Sequence, residues 1–296
     1  LIHLKETQTE FFDYIRILTS HTNSAVNWFL YDYLLHEFVS SNKIENKQYN
    51  KELLSLYENN LLNDEISEKD IKLINKIVRS DEHILLPTEF TSFCDKKGVK
   101  KDYKEYLEEF GNNVGGQYRK KEVWIGNPKE GIEYAFHIPP KASEVEKYMQ
   151  EFACYFNNKN NPILSNMFIK SALLHVIFIK IHPFSDGNGR TARVIMNHCV
   201  KIASEQDLGL NFKYPIINIS SSLDLSRIEY FKRQNNVYFG YDVSIDNSEA
   251  INKWLNYILN MYDEQIYYLK QKIIQNEFAF YKMDNDMIFD KISTHH

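Results

Sequence analysis

The stretch Ile177-Phe178-Ile179-Lys180-Ile181-His182-Pro183-Phe184-Ser185-Asp186-Gly187-Asn188-Gly189-Arg190-Thr191-Ala192-Arg193 decides the fold, because it ends one helix, turns, and begins another. Upstream of it, Ile163, Leu164, Met167, Phe168, Ala172, Leu173, Leu174, Val176, Ile177, Phe178 and Ile179 leave almost no polar face. A helix apolar nearly all round is a central, buried one, and the spacing predicts it over Ile163 to Ile181. It stops at His182, since the residue before a proline is pushed out of right-handed helical geometry. A second helix opens at Asn188-Gly189-Arg190 and is predicted to run to about Ala203.

The short connection carries the chemistry. Gly187 and Gly189 flank Asn188 at a helix start, where free backbone N–H groups and the positive end of the dipole meet no obstructing side chain. Such a nest suits a phosphate. Arg190 and Arg193 share one face of the first turn, at the helix end that disfavours cations. A polyanion bound there removes the conflict, and the planar guanidinium fork matches phosphate oxygens. Asp186, directly before the nest, is the kind of carboxylate that holds Mg²⁺ together with phosphates and water. His182 offers an imidazole able to take a proton from an alcohol, and Phe184 is read as the plug anchoring the loop in the core. Singly, a histidine before proline is structural, Gly-Asn-Gly is a turn and an arginine pair is a solvated accident. Brought into 12 residues, each explains an oddity of the next.

Working outward, Val26, Phe29, Leu30, Tyr33, Leu34 and Phe38 recur at three- and four-residue steps and predict an amphipathic helix from Thr22 to Ser41. Lys51 to Tyr57, Glu68 to Val78 and Asp102 to Phe110 read as further short helices. After a loop at Gly111-Asn112-Asn113-Val114-Gly115-Gly116, Val123-Trp124-Ile125 and Ile132 to Ile138 flank Gly126-Asn127-Pro128-Lys129-Glu130-Gly131, and Pro139-Pro140 ends the second run. This predicts a β-hairpin that leans on the helical body and leaves an edge free. Leu225 to Asn235, Ala250 to Asn260 and Asp263 to Asn276 complete a mostly helical chain.

With 296 residues, 43% hydrophobic and 25% charged, the composition is that of a globular protein. A net charge of -5 shows no basic footprint, which argues against nucleic acid. Cys94, Cys154 and Cys199 are odd in number and lack CxxC spacing, so they read as buried free thiols of a reducing compartment. No run approaches the roughly 18 apolar residues that span a bilayer, and Leu1 to Glu6 lacks the order of a signal peptide. The expectation is a cytoplasmic protein with neither membrane nor nucleic acid as partner.

The string HPFSDGNGRTAR, residues 182–193, matches every fixed position of HxFx(D/E)GNGRxxR and so resembles the Fic family. The resemblance spans roughly residues 110 to 265, with Val123-Trp124-Ile125-Gly126, the Pro-Pro stop, the buried helix, the motif and Arg227-Ile228-Glu229-Tyr230 in the family's order. It implies a mainly α fold, a Fic-like helical bundle with one β-hairpin flap. The implied division is an N-terminal helical region over 1–110, a Fic core over 111–265, and a C-terminal helix and tail over 266–296. The implied activity is protein adenylyl transfer, AMP passing from ATP to a Ser, Thr or Tyr hydroxyl of a target protein. By position, His182 is the base and Asp186 the Mg²⁺ ligand. Gly187, Asn188 and Gly189 form the anion hole, Arg190 and Arg193 clamp the outer phosphates, and Thr191 and Ala192 complete the nucleotide site. Val123, Trp124, Ile125, Gly126, Tyr230 and Phe231 line base and ribose, while the hairpin edge docks the target by β-augmentation. The resemblance is compatible with the chain as its own target, by auto-AMPylation, and with a homo-oligomer. One departure is Asn235-Asn236-Val237-Tyr238, where family members commonly carry Asn-Glu-Gly-Asp.

Ser41-Asn42-Lys43-Ile44-Glu45-Asn46 closes the first amphipathic helix. Ser41 and Glu45 share a face, and Asn46 suits the left-handed geometry of a helix stop. The string resembles the SxxxE(G/N) signature of the Fic subclass with an N-terminal inhibitory helix, which implies that Glu45 competes with the γ-phosphate for Arg193. Alternatives are other Fic chemistry, such as de-AMPylation or another nucleotidyl or phosphoryl transfer, and a catalytically idle nucleotide-binding module.

Overall fold

The computed structural model describes residues 2–47, 51–80, 115–126, 131–158, 166–238 and 247–275, with 88, 91, 92, 94, 95 and 102–104 between them. Its helices are α1 (Ile2–Leu18), α2 (Asn23–Ile44), α3 (Ser55–Glu58), α4 (Glu68–Val78), α5 (Val145–Asn157), α6 (Met167–Ile181), α7 (Asn188–Leu208), α8 (Ser220–Leu225), α9 (Arg227–Asn236) and α10 (Ser248–Gln275). Packing divides the chain into two compact units that are discontinuous in sequence. One comprises Leu1–Tyr49, Asn160–Leu173 and Met196–His296; the other comprises Asn50–Lys159 and Leu174–Ile195.

The first unit is built on long amphipathic helices. From α2, Val26, Phe29, Leu30, Tyr33, Leu34 and Phe38 are buried, as the three- and four-residue spacing predicts. From α10 the buried stripe is Trp254, Ile258, Tyr262, Ile266, Leu269 and Ile273. Helix α1 packs along α10, and α8 along α2. Each large side chain with a polar tip finds a partner: Tyr14 donates to the Ile216 carbonyl at 2.7 Å and Trp254 Nε1 to the Ala172 carbonyl at 2.8 Å. The carboxylate of Glu37, itself buried, accepts from Asn197 Nδ2 and the Ser220 backbone, each at 2.9 Å, and from the Ser220 hydroxyl. This ties α2 to α7.

In the second unit α4 opens on a capping box, with the Ser67 hydroxyl facing the Asp70 amide and the Asp70 carboxylate facing the Ser67 amide. That pattern explains why its bounds agree with the sequence expectation. Helix α5 buries Val145, Tyr148, Met149, Phe152 and Phe156 on one face, and Phe152 meets Phe178 edge-on at 5.4 Å. Asn157 pairs with both the amide and the carbonyl of Ile66 at 3.0 Å and so pins the segment ahead of α4.

Several expectations change. The hairpin is reduced, among the described residues, to a single antiparallel bridge between Ile125 and His137, while Ile132–Tyr134 forms a 3-10 turn. The physical reason is exposure: Ile132, Tyr134, Phe136 and Ile138 are all at the surface, and two strands without an apolar cover are marginal in water. The two C-terminal segments are one helix, α10, because nothing around Asn260 breaks the apolar stripe. Helices α1, α5 and α8 are additions. The helix expected from Asp102 lies mostly outside the described residues, as do Gly111 to Val114, Asn127 to Glu130, Ile163 and Leu164. All three cysteines are free, but only Cys199 is buried; Cys154 is exposed. Among the described residues no helix is long and apolar enough to cross a membrane.

Candidate active site

Helix α6 ends at Ile181 with its last carbonyls already engaged. The His182 amide returns to the Phe178 carbonyl at 3.0 Å, His182 Nδ1 lies 3.3 Å from the Ile179 carbonyl, and His137 Nε2 lies 2.8 Å from the Lys180 carbonyl. A carbonyl only accepts, so these ring nitrogens carry protons. For His182 this defines the Nδ1–H tautomer and leaves the Nε2 lone pair available as a base. His182 has φ 49°, the left-handed region, at a cost of about 1 kcal/mol for a residue with a Cβ. The proline forbids the right-handed alternative.

Between His182 and α7 the loop is braced from inside. Asn188 accepts from the Phe184 amide at 3.0 Å and donates to the Phe184 carbonyl at 2.8 Å, closing a ring of polar contacts. Phe184, fully buried between Tyr118 and Phe178, is the expected plug. Gly187 has φ +77°, and a Cβ there would meet Asn75 Nδ2 at 3.0 Å, so only glycine fits. The first intrahelical bond of α7 runs from the Thr191 amide to the Gly187 carbonyl at 2.9 Å, so the amides of Asn188 to Arg190 precede the ladder and face the loop mouth.

Asp186 is half-exposed. One oxygen accepts from the Gly187 amide at 2.6 Å, and the other lies 3.8 Å from Arg190 Nη2. Among the described residues no group of three or more His, Cys, Asp or Glu side chains could cage a metal. A lone, solvent-reachable carboxylate does fit Mg²⁺ held mostly by phosphates and water. Arg190 is buried and donates to the Val78 carbonyl at 2.9 Å, so it braces the loop against the end of α4 as well as facing Asp186. Arg193, equally buried, lowers the pKa of His175, which burial in the first place holds down at about 3.

The electrostatics favour a neutral imidazole. Burial chiefly, with the charges of Arg119 and His137 adding, moves His182 down to about 4, against the opposing Ile179 hydrogen bond and Asp186 carboxylate. His137 is lowered to about 4 and Lys180 to about 8, both mainly by burial. The flap residues Val123 to Gly126 reach this end of α6 through the Ile125–His137 pairing, with Trp124 exposed. Tyr230 and Phe231 belong to the other unit, where Tyr230 is buried against Phe231 and Trp254. Ser41 is buried in the last turn of α2, Glu45 caps that helix half-exposed, and Asn46 takes φ 54° as expected.

Three contributors escape sequence reading. Asn75 donates to the Asp186 carbonyl at 3.1 Å and to the Thr191 hydroxyl at 3.2 Å, and accepts from the Gly116 amide at 2.9 Å. Arg79 reaches the Ser185 hydroxyl at 3.3 Å. Arg119 donates to the His182 carbonyl at 2.8 Å. Their partners are mostly backbone groups, which leave no signature in side-chain patterns.

The loop thus brings an imidazole, a carboxylate, a helix start and paired arginines together on a helical scaffold. Residues 93–200 match the Fic/DOC family. Protein adenylyltransferase Fic of Aedes aegypti is 30% identical over 105 residues, 36% of this chain and 19% of that protein. The protein of the same name from Drosophila melanogaster is 36% identical over 83 residues, 28% of this chain and 15% of that protein. The matched stretch is thus under a fifth of these relatives' length. In three dimensions, a Fic family protein from Desulfovibrio desulfuricans aligns over 92% of this chain and 75% of its own, with TM-score 0.57 and 15% identity, a likeness of fold. The likeness in sequence to the Fic/DOC family is thus confined to residues 93–200.

Proposed function

We propose that this chain is a protein adenylyltransferase, and one observation carries the reading. The His182 Nδ1–H tautomer presents a basic Nε2 beside a helix start that bears two arginines. Nε2 takes the proton of a Ser, Thr or Tyr hydroxyl, whose oxygen attacks the α-phosphorus of ATP. The bond from the α-phosphorus to the bridging oxygen breaks, pyrophosphate leaves, and an AMP ester remains on the target. The amides of Asn188 and Gly189, and that of Gly187 once the Asp186 carboxylate releases it, steady the charge developing on the α-phosphoryl oxygens. Arg190 and Arg193 hold the outer phosphates, with Thr191 and Ala192 between them. Asp186 would hold a Mg²⁺, which when bound neutralises phosphate charge. Val123 to Gly126, Tyr230 and Phe231 line the nucleoside. The names of the relatives, protein adenylyltransferase Fic, support the same chemistry.

The flap docks the target. Its exposed Tyr134, Phe136 and Ile138 and its single bridge leave backbone groups for an extended segment to pair with, completing the hairpin on binding. The chain belongs in this reading to a reducing, cytoplasmic compartment, and residues 111–265 act as the core. The α2 terminus is a brake: Glu45 pairs with Arg193 and displaces the γ-phosphate. Supporting this, Ser41 is buried in the last turn of α2, Glu45 caps that helix and Asn46 takes φ 54° after it, the local arrangement that the SxxxE(G/N) resemblance implies.

The experiment compares ATP labelled at the α- or γ-phosphate, offered with Mg²⁺ to wild type and Glu45→Gly, with intact-mass analysis of modified protein. Transfer of α-label alone is expected, 5- to 150-fold faster in Glu45→Gly, the range of typical coupling between sites. γ-Label on protein would mean phosphoryl transfer instead. No label from either, even in Glu45→Gly, would leave an idle binding module.

A further inference from the structure

We propose that Arg119 is the positioning residue of this site, holding the His182–Pro183 junction in its left-handed turn and so setting where the imidazole can reach. The proposal rests on the adenylyltransferase reading for its kinetic consequences but on geometry for its substance. The Arg119 backbone amide donates to the Pro183 carbonyl at 2.9 Å, and Nε donates to the His182 carbonyl at 2.8 Å. Nη1 donates to the Lys121 carbonyl at 3.2 Å, and Nη2 donates to the Pro140 carbonyl. One residue therefore grips two successive carbonyls of the turn and joins them to both ends of the flap segment.

The arrangement is costly, which is why a function is called for. The Arg119 side chain is 1% exposed, and its nearest carboxylate, Glu122, lies 3.8 Å away and is itself 68% exposed. A cation taken out of water with carbonyl dipoles as its main partners gives up hydration that such contacts only partly restore. What the turn gains is specific. His182 adopts a conformation that a residue with a Cβ disfavours, and such strain persists only where surroundings over-determine it. A guanidinium spreads its N–H donors over three coplanar nitrogens and so reaches three carbonyls set apart from one another, whereas an ammonium gathers its three donors on one nitrogen. With all three of its nitrogens engaged on carbonyls, the guanidinium acts through His182. The same cation beside the ring also helps keep the imidazole neutral.

The test uses Arg119→Lys and Arg119→Gln in the full chain carrying Glu45→Gly. Rates of α-label transfer to protein are read alongside binding of a fluorescent methylanthraniloyl-ATP, the thermal midpoint, and ¹⁵N spectra of the His182 ring. The expected result is a kcat lower by about 10- to 100-fold, the scale of a misplaced catalytic group. Nucleotide affinity should stay within about threefold of the parent, and the ring should lose its single Nδ1–H tautomer. Unchanged kcat with an unchanged ring spectrum overturns the proposal. So does a parallel loss of kcat, nucleotide affinity and thermal midpoint, which marks a structural staple only. If the Glu45→Gly parent transfers no label, the adenylyltransferase reading fails, and the ring spectra still decide the role of Arg119. Should neither variant fold, a crystal structure of the unaltered chain decides: His182 at negative φ, or Arg119 away from its carbonyl, overturns it.

Discussion

The motif loop and the flap lie within one compact unit, yet they are built on opposite principles. Between His182 and Arg193 nearly every polar group has a partner inside the protein: Asn188 closes on Phe184, Asn75 on Asp186 and Thr191, and Arg190 on Val78. Among the described residues between Val123 and Ile138 a single bridge, Ile125 to His137, joins two segments whose Trp124, Ile132, Tyr134, Phe136 and Ile138 are exposed. In the proposed reaction the groups that act on phosphorus must be held still, because a displacement of about 1 Å costs about 100-fold in rate. An element proposed to meet a protein target gains from being unfinished, since an extended segment can add to it.

Breaking the rigid side should have the largest effect. His182→Ala removes the base, and α-label transfer in the Glu45→Gly background should fall by about 10²- to 10⁴-fold with methylanthraniloyl-ATP binding retained. A fall of less than about tenfold would point to another base. Asn75→Ala comes next, because it leaves the Asp186 carbonyl and the Gly116 amide without this partner. A loss of about 2 kcal/mol in denaturant unfolding is expected, with slower transfer. An unchanged midpoint would mean that the loop holds itself.

On the soft side, Phe136→Ala should leave unfolding within about 0.5 kcal/mol of wild type, as an exposed site does, while raising KM for a protein target. Equal KM would remove the flap from target docking. The mildest test is pH. His182 and His137 are lowered to about 4 and His175 to about 3, against an ordinary value of 6.5. Below pH 6.5 the unfolded chain takes up protons that the folded chain refuses. The stabilisation is therefore complete above 6.5 and is lost as pH falls toward 4. The thermal midpoint should drop over that window, and the acid limb of kcat/KM, which reports the free protein, should lie well below 6.5; a limb at 6.5 would mean an unburied imidazole.

The sequence alone determined the motif loop from His182 to Arg193 and the helices that carry it. His182, Asp186, the glycines and the arginines are contiguous, so local backbone rules place them. The periodic burial of α2, α4, α6 and α7 follows from side-chain spacing, which a sequence records directly. The tertiary structure decided what those rules cannot reach. Arg119 meets His182 across 63 positions and Asn75 meets Thr191 across 116, through carbonyls, amides and hydroxyls that any residues nearby could supply. The reduced hairpin has the same cause in reverse. Val123 to Ile138 has the alternation of strands, but strand pairing needs a covering surface, and whether one exists is settled only when the chain is packed.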